Sequence, residues 1–216
     1  MIPVLNPDGF EHTWNTDRFF RKNRQLVSGH DWWGRKCYGV DVARNFPVNF
    51  RRPSSGSNPC SPTYAGDDPL STPEAKSLAD YLNSTEISPI AFIDLHSYGQ
   101  LILHPWLSCT SSFGGDVPDE EDLSEMAIGA SRAAKAIHGK AYRVGRGCEA
   151  MYNQDGSAVD YAYGGQGIKY SFEFELRDEG SYGFTLPADQ IRPTAEEVWS
   201  GMEYLLRFIK RREKLA

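Results

Sequence analysis

Two segments of the chain have the apolar pattern of β-strands. Residues 169–176 alternate strictly between apolar and polar side chains, which therefore point to opposite faces. The apolar face is formed by Tyr170, Phe172, Phe174 and Leu176. Residues 90–96 are a short, mostly apolar run between Pro89 and the turn sequence Ser97-Tyr98-Gly99. This pattern predicts a buried strand that ends at His96.

Three other segments are typical of helices. Ser71 is expected to cap a helix that runs to Leu82, with Glu74 closing a capping box. A second helix is predicted over residues 123–138, and a third from Thr194 onward. The apolar stripe of this last helix contains Val198, Met202, Leu205, Leu206 and Ile209. Strands that alternate with long helices predict an α/β fold, in which helices sandwich a mixed, mostly parallel sheet.

The remaining segments suggest loops and an incomplete beginning. Residues 45–69 contain five prolines and predict a long loop. Residues 2–5 resemble the end of a strand that runs into a turn at residues 6–9. We therefore expect residues 1–216 to be a single, N-terminally truncated domain, in which no secretory signal is visible.

The charge and hydropathy of the chain exclude two classes of partner. Its 23 basic and 29 acidic residues give a net charge of −6, whereas nucleic-acid binding by phosphate neutralisation favours a basic protein. The mean hydropathy is −0.52, and no apolar run approaches the length of a membrane span. We therefore expect neither nucleic acid nor membrane as a partner.

Four cysteines leave two interpretations open. Their spacing contains no Cys-x-x-Cys pair, so a zinc ribbon or a thioredoxin-like motif is disfavoured. An even number of cysteines together with the sequon Asn83-Ser84-Thr85 fits an oxidised, secreted protein that is glycosylated at Asn83. Four buried free thiols in a cytosolic protein are the alternative.

The two predicted strands end in groups that can carry chemistry. Asp94 and His96 share one face of the first strand, and Glu173 and Glu175 share one face of the second. A histidine can bind a divalent metal, and a glutamate in apolar surroundings can act as a general base. The alternatives are a structural core histidine and a solvated pair of glutamates.

Isolated arginines form a third group of candidates. Arg21 and Arg44 lie between hydrophobic residues of an acidic chain, and the planar guanidinium suits a carboxylate or an oxyanion. Internal salt bridges are the alternative. The chain contains no nucleophile elbow, P-loop or Gly-x-Gly-x-x-Gly motif, so acyl-enzyme and nucleotide chemistry lack their usual motifs.

Together these segments resemble the A/B-type zinc metallocarboxypeptidases, the funnelins. The matching motifs are, in order, Asn6-Pro7-Asp8-Gly9, Arg21-Lys22-Asn23-Arg24, Gly39-Val40-Asp41, Arg44-Asn45, Asn58-Pro59-Cys60-Ser61, Tyr64-Ala65-Gly66, His96-Ser97-Tyr98-Gly99-Gln100, Gly167-Ile168-Lys169-Tyr170-Ser171-Phe172, Phe174-Glu175-Leu176-Arg177-Asp178, Tyr182-Gly183-Phe184, Leu186-Pro187, Ile191 and Pro193-Thr194-Ala195. The resemblance extends over nearly the whole chain and implies a carboxypeptidase A-like fold.

The resemblance also implies roles for individual residues. His96 matches the third zinc ligand, and Glu175 matches the general base. Arg21 matches the residue that stabilises the oxyanion, Arg44 the anchor for the C-terminal carboxylate of the substrate, and Tyr152 the mobile tyrosine that closes over it. The implied cofactor is Zn²⁺, and the implied partners of the protein, a monomer, are peptide or protein C-termini.

Two disulfides and a specificity position follow from the same resemblance. It pairs Cys37 with Cys60 and Cys109 with Cys148, which favours the secreted interpretation. Val159 matches a position where enzymes that prefer Lys or Arg carry Asp, so we expect an apolar preference. Asp94 and Glu173 match positions in the same pocket and oppose this preference unless a neighbouring cation pairs with them.

Two departures from the family pattern leave a second function open. The His-x-x-Glu motif that supplies the first two zinc ligands does not occur in this sequence, and Ala43 replaces an Asn that helps to bind the carboxylate. We expect a zinc exopeptidase, with little activity in this chain alone. The alternative is a non-catalytic relative that binds peptides or partner proteins. If the segment that carries the His-x-x-Glu motif is absent, the sheet is expected to lose strands and to expose an edge that promotes aggregation of the isolated chain.

Overall fold

The elements of the fold alternate along the chain much as the sequence predicts. A computed structural model describes residues 1–50, 58–84, 86, 88–109 and 115–215. Its strands are β1 (Leu26–His30), β2 (Lys36–Tyr38), β3 (Ala91–His96), β4 (Leu101–His104), β5 (Arg143–Arg146) and β6 (Tyr170–Glu175). Its α-helices are α1 (Pro7–Asn15), α2 (Pro73–Leu82), α3 (Glu120–His138), α4 (Gly147–Ala150), α5 (Ala158–Asp160) and α6 (Ile191–Arg212).

The main sheet is mixed, as predicted. Its strand order is β3-β6-β4-β5, with β3 parallel to β6, β4 parallel to β5, and β4 antiparallel to β6. Strands β1 and β2 form a separate antiparallel hairpin that the sequence analysis did not predict. The predicted α/β class is confirmed.

Helices cover both faces of the main sheet. Tyr170, Phe172 and Phe174 of β6 belong to a core cluster that includes apolar residues of α3 and α6. A second cluster joins α2 to α5 and the adjoining turn of π-helix (Tyr161–Gly165). Alternation along β6 directs Glu173 and Glu175 away from the α3–α6 layer. All six residues of this strand are buried, so the interpretation of its glutamates as a solvated face is wrong.

Helix boundaries differ from the prediction at three places. Thr72 caps α2, because its Oγ1 accepts the amide of Ala75 at 3.1 Å, whereas the hydroxyl of Ser71 hydrogen-bonds Asn45. Helix α6 begins at Ile191, one turn before Thr194. No strand occurs at residues 2–5, and the predicted turn at residues 6–9 is the beginning of α1, which Asn6 caps.

Both implied disulfides are present. Cys37 is bonded to Cys60 and Cys109 to Cys148, each with Cα atoms 4.9 Å apart, which excludes the four-thiol alternative. Thr85 of the predicted sequon and residues 51–57 of the predicted long loop lie outside the described residues. In the described part of the chain, no helix is both long and apolar enough to cross a bilayer.

Candidate active site

The parallel pairing of β3 with β6 brings the two sets of strand-end groups together. In the register of these strands, Asp94 lies beside Glu173 and His96 beside Glu175. Residues at paired positions of neighbouring strands direct their side chains to the same face of the sheet. Four titratable side chains that are far apart in sequence therefore meet at the carboxyl ends of two adjacent strands, as in other open α/β sheets.

His96 contacts carboxylates on its own strand and on the neighbouring one. Its Nε2 lies 3.0 Å from Oδ2 of Asp94 and 3.9 Å from Oε2 of Glu173. Burial disfavours the charged imidazolium, but these two carboxylates outweigh that effect and raise the pKa of His96 to about 10. Without a further ligand, His96 is therefore a cation held between acids.

Glu175 is the buried carboxylate of the site. Its side chain is nearly inaccessible to solvent, and its Oε2 has no hydrogen-bond partner within the described ranges. Burial and then repulsion from Glu173 raise the pKa of Glu175 to about 7, against the opposing effects of His96, Arg21 and Arg44. A carboxylate with this pKa and a free oxygen is suited to take up and release a proton near neutral pH.

Arg21 is fixed by a buried aspartate. Its Nε donates to Oδ2 of Asp41 at 2.8 Å, and the Asp41 side of this contact is buried. Burial of the guanidinium opposes its charge, but the ion pair with Asp41 raises the pKa of Arg21. The other oxygen of Asp41 accepts the amide of Ala43, at the start of the 3₁₀ turn Val42–Arg44. One carboxylate thus orients Arg21 and begins the turn that carries Arg44.

Arg44 is buried beneath the ring of Tyr152, with its guanidinium carbon 5.8 Å from the ring centroid. Its Nη1 donates to the carbonyl oxygen of Ala43 at 2.9 Å, and its Nη2 lies 3.4 Å from the hydroxyl of Tyr152. The Arg44 side chain is buried, yet no carboxylate lies within ion-pair distance of it in the described residues. Tyr152 is half exposed, so the phenol separates this buried cation from solvent.

Several of these groups line a cavity of about 220 Å³, whereas Arg44 lies behind Tyr152 and outside its lining. It is lined by Arg21, His96, Ser97, Tyr98, Met151, Tyr152, Gln154, Glu175 and Phe184. Gln154 was not predicted, although it is only two residues from Tyr152; it is buried and donates to Oε1 of Glu173 at 2.8 Å. Val159, the predicted specificity residue, lies in α5 and is fully buried, outside the lining of this cavity.

The described residues do not form a zinc site by themselves. A catalytic zinc takes three protein ligands, and no group of three or more His, Cys, Asp or Glu side chains suited to a metal occurs in the described parts of the chain. All four cysteines are in disulfides, and Nε2 of His96 is already engaged by Asp94. His96 supplies one nitrogen donor, so we assign no step of the chemistry to zinc.

Comparison with known proteins identifies the family of the chain. The model of the family described as zinc carboxypeptidase matches residues 1–201. Rat carboxypeptidase A2 is 43% identical over 212 residues, which are 97% of this chain and 48% of the rat protein. The inactive metallocarboxypeptidase ECM14 of Ajellomyces dermatitidis is 38% identical over 228 residues, covering 96% of this chain and 37% of the relative.

Solved structures show the same fold. Bovine thrombin-activatable fibrinolysis inhibitor, in complex with tick carboxypeptidase inhibitor, superposes with a TM-score of 0.87 at 39% identity, over 97% of this chain and 68% of that one. Carboxypeptidase A from Helicoverpa armigera superposes with a TM-score of 0.85 at 29% identity, over 98% of this chain and 51% of that one. This chain spans about half the length of the curated relatives it matches. On the family match and these identities, the chain belongs to the zinc carboxypeptidase family.

Proposed function

We propose that this chain supplies the substrate anchor and the proton-transfer groups of a metallocarboxypeptidase, which removes the C-terminal residue of peptides and proteins. The observation that carries the proposal is the buried guanidinium of Arg44, which has no carboxylate partner in the described residues. Its Nη2 lies 3.4 Å from the hydroxyl of Tyr152, which lines the cavity together with Glu175. A buried cation without a counter-ion is costly unless a ligand supplies the anion.

Arg44 and Tyr152 bind the end of the substrate in this proposal. The C-terminal carboxylate pairs with the guanidinium of Arg44, for which a planar fork is well suited. The half-exposed phenol of Tyr152 then covers the anion. Ala43 offers only its backbone carbonyl to Arg44, so its side chain adds no hydrogen bond to this anchor.

Glu175 and Arg21 act on the scissile bond. As a water oxygen adds to the carbonyl carbon, Oε2 of Glu175 accepts a proton from that water. Arg21, held by Asp41, stabilises the negative charge that develops on the carbonyl oxygen. When the carbon–nitrogen bond breaks, Glu175 transfers the proton to the leaving amine, so one water and one peptide bond yield a carboxylic acid and an amine.

The preference for an apolar C-terminal side chain is part of the same proposal. Asp94 and Glu173 lie on the acidic wall of the site, and each is already engaged, by His96 and Gln154 respectively. Their negative charge is therefore less available to a Lys or Arg side chain of the substrate. The family resemblance assigns Val159 to the same preference, although this side chain is buried outside the lining of the 220 Å³ cavity. The two disulfides favour a secreted protein.

Blocked dipeptides that end in Phe or Lys test this function. We expect the chain, measured with and without added zinc and assayed for bound metal, to cleave the Phe substrate faster than the Lys substrate whenever turnover occurs. Glu175→Gln lowers turnover about 10²–10⁴-fold, the usual contribution of a general base, while substrate binding is retained. Turnover that survives Glu175→Gln contradicts the assignment of the base.

A second function is favoured by the absence of a three-ligand metal group from the described residues. In this case the chain binds peptide C-termini through Arg44 without cleaving them, and its 38% identity to an inactive metallocarboxypeptidase is in line with this. Turnover in the zinc-supplemented chain supports the enzyme. Peptide binding without turnover, both in this chain and in one joined to a His-x-x-Glu segment that completes the metal ligands, supports the binding protein.

A further inference from the structure

The hairpin of β1 and β2 presents two adjacent tryptophans to solvent. Trp32 is 93% exposed and Trp33 is 77% exposed, and both lie in the connection between the strands. Trp32 makes no hydrogen bond or ring contact with any other described residue. Open space also surrounds the neighbouring Gly34. The tip is therefore an exposed aromatic surface that lies apart from the two core clusters.

The conformation of this tip is fixed by Asp31. One oxygen of its carboxylate accepts the amides of Trp33 and Arg35, each at 2.9 Å, and the other accepts Nε of Arg35 at 2.6 Å. The backbone amide of Gly34 closes the turn on the carbonyl of Asp31 at 2.9 Å. The disulfide of Cys37 ties β2 to the body of the protein. The indoles are thus held in place before any partner arrives.

Basic side chains lie next to the two indoles. His30 and Lys36 are exposed and paired across the hairpin, at the two ends of the connection that carries Trp32 and Trp33. Lys36 has no ion-pair partner in the described residues. Asp31 is neutralised by Arg35. A chain with a net charge of −6 therefore carries a local excess of positive charge at this tip.

The apolar surface continues along the solvent face of the hairpin. Leu26 is 71% exposed and is paired with Tyr38 in the register of the strands. Tryptophan and tyrosine combine an apolar ring with a polar hydrogen-bonding group, and such side chains are enriched at the boundary between lipid and water. Lysine and arginine beside them attract anionic headgroups.

We infer that this hairpin tip, Trp32 and Trp33 with Lys36, binds peripherally to the surface of anionic lipid membranes. The tip inserts its indoles at the level of the headgroups, and Lys36 contacts the lipid phosphates. This contact requires no membrane-spanning helix and no peptidase activity. It also adds a partner that composition and hydropathy alone led us to exclude.

Co-sedimentation with vesicles tests this inference. The 216-residue chain is mixed with vesicles of phosphatidylcholine alone or of phosphatidylcholine with phosphatidylserine. We expect sedimentation with the anionic vesicles and a blue shift of tryptophan fluorescence. The double variant Trp32→Ala/Trp33→Ala binds about tenfold more weakly, and Lys36→Gln about fivefold more weakly, the effect of one cation near an anionic surface.

A tryptophan elsewhere on the surface provides the matched control. Trp199 on α6 is 63% exposed, and Trp199→Ala is expected to sediment like the unaltered chain. Thermal unfolding establishes that each variant is folded. Equal sedimentation of the double variant and the unaltered chain overturns the inference, and so does equal loss in Trp199→Ala. Retention on heparin without sedimentation on anionic vesicles also overturns it, in favour of a soluble polyanion.

Discussion

Among single residues, Arg44 is the group whose surroundings point most directly to a ligand. Its guanidinium is buried and hydrogen-bonded only to the carbonyl of Ala43 and the hydroxyl of Tyr152 in the described part of the chain. Arg21, by contrast, is paired with Asp41. The difference explains why Arg21 is oriented within the protein, whereas Arg44 is left to pair with an external anion.

Replacing Arg44 is expected to weaken the binding of peptides with a free C-terminus. Arg44→Gln keeps hydrogen-bonding capacity but removes the charge, which costs about 1.5–3 kcal/mol, the contribution of one hydrogen bond to a charged group. Calorimetric titration with a peptide and with its C-terminal amide measures this loss. The amide is the control, and an equal loss of affinity for both ligands contradicts the carboxylate anchor.

Lys22 is a buried cation of a different kind. Its Nζ donates to the carbonyl of Pro59 at 2.6 Å and lies 5.8 Å from the ring centroid of Tyr64. Burial lowers the pKa of Lys22 to about 8, and Asp41 opposes this shift. The folded protein therefore binds the proton less tightly than the unfolded chain, whose lysine has a pKa of 10.5.

The stability of the protein is expected to depend on pH through Lys22. Below about pH 8 the folded state bears the full cost of the buried charge, and this cost disappears as the pH rises towards 10.5. Relative to Lys22→Met, the unaltered chain should therefore gain free energy of unfolding over this range. Urea unfolding of both proteins at several pH values measures the difference, and a constant difference contradicts the assignment.

The residues of the site divide into those that the sequence can identify and those that it cannot. Resemblance to a family identified candidate roles for His96 and Glu175, because these lie in recognisable motifs. Gln154 and Asp41 lack such roles in the sequence analysis. Their function as partners of Glu173 and Arg21 depends on which strands and loops are adjacent in space. In the same way, the burial of Glu173 and Glu175 depends on the strands that lie on both sides of β6.

At the scale of secondary structure, the apolar–polar alternation of a segment predicts that it is a strand, but not which strands lie next to it. The alternation along residues 169–176 correctly predicted β6. It did not predict that both faces of this strand are buried, because the neighbours β3 and β4 come from distant parts of the chain. The start of α2 shows a local ambiguity: Ser71 and Thr72 both carry hydroxyls, and the contact of Ser71 with Asn45 leaves the cap to Thr72.

The Cys37–Cys60 disulfide is expected to stabilise the hairpin and the loop that follows it. It closes a segment with a sequence separation of 23 residues, so Cys37→Ser/Cys60→Ser should lower the free energy of unfolding by about 3 kcal/mol. Denaturant unfolding measures this change. The matched comparison is Cys109→Ser/Cys148→Ser, which opens a segment with a separation of 39 residues and should lower the free energy of unfolding slightly more. No change in either double variant contradicts the stabilising role.

For the whole molecule, the alternation of strands and helices along the chain was enough to predict the α/β class. It does not determine which strand lies at the edge of the sheet. In the described residues, β3 pairs with β6 on one side only. Leu95 of this strand is 49% exposed and borders an apolar groove of about 530 Å³ that also contains Phe184 and Trp199. An unpaired strand edge beside an apolar surface favours association between chains.

The isolated chain is therefore expected to self-associate as its concentration rises, through the edge of β3. Leu95→Lys places a charge on this edge and should shift the chain towards the monomer, because a charged side chain opposes strand pairing between molecules. Light scattering coupled to size-exclusion chromatography measures the change. Leu206→Lys introduces the same charge at a residue of α6 that is 52% exposed and lies outside the groove, and it should leave association unchanged. Equal effects of the two lysines would assign the association to net charge rather than to the sheet edge.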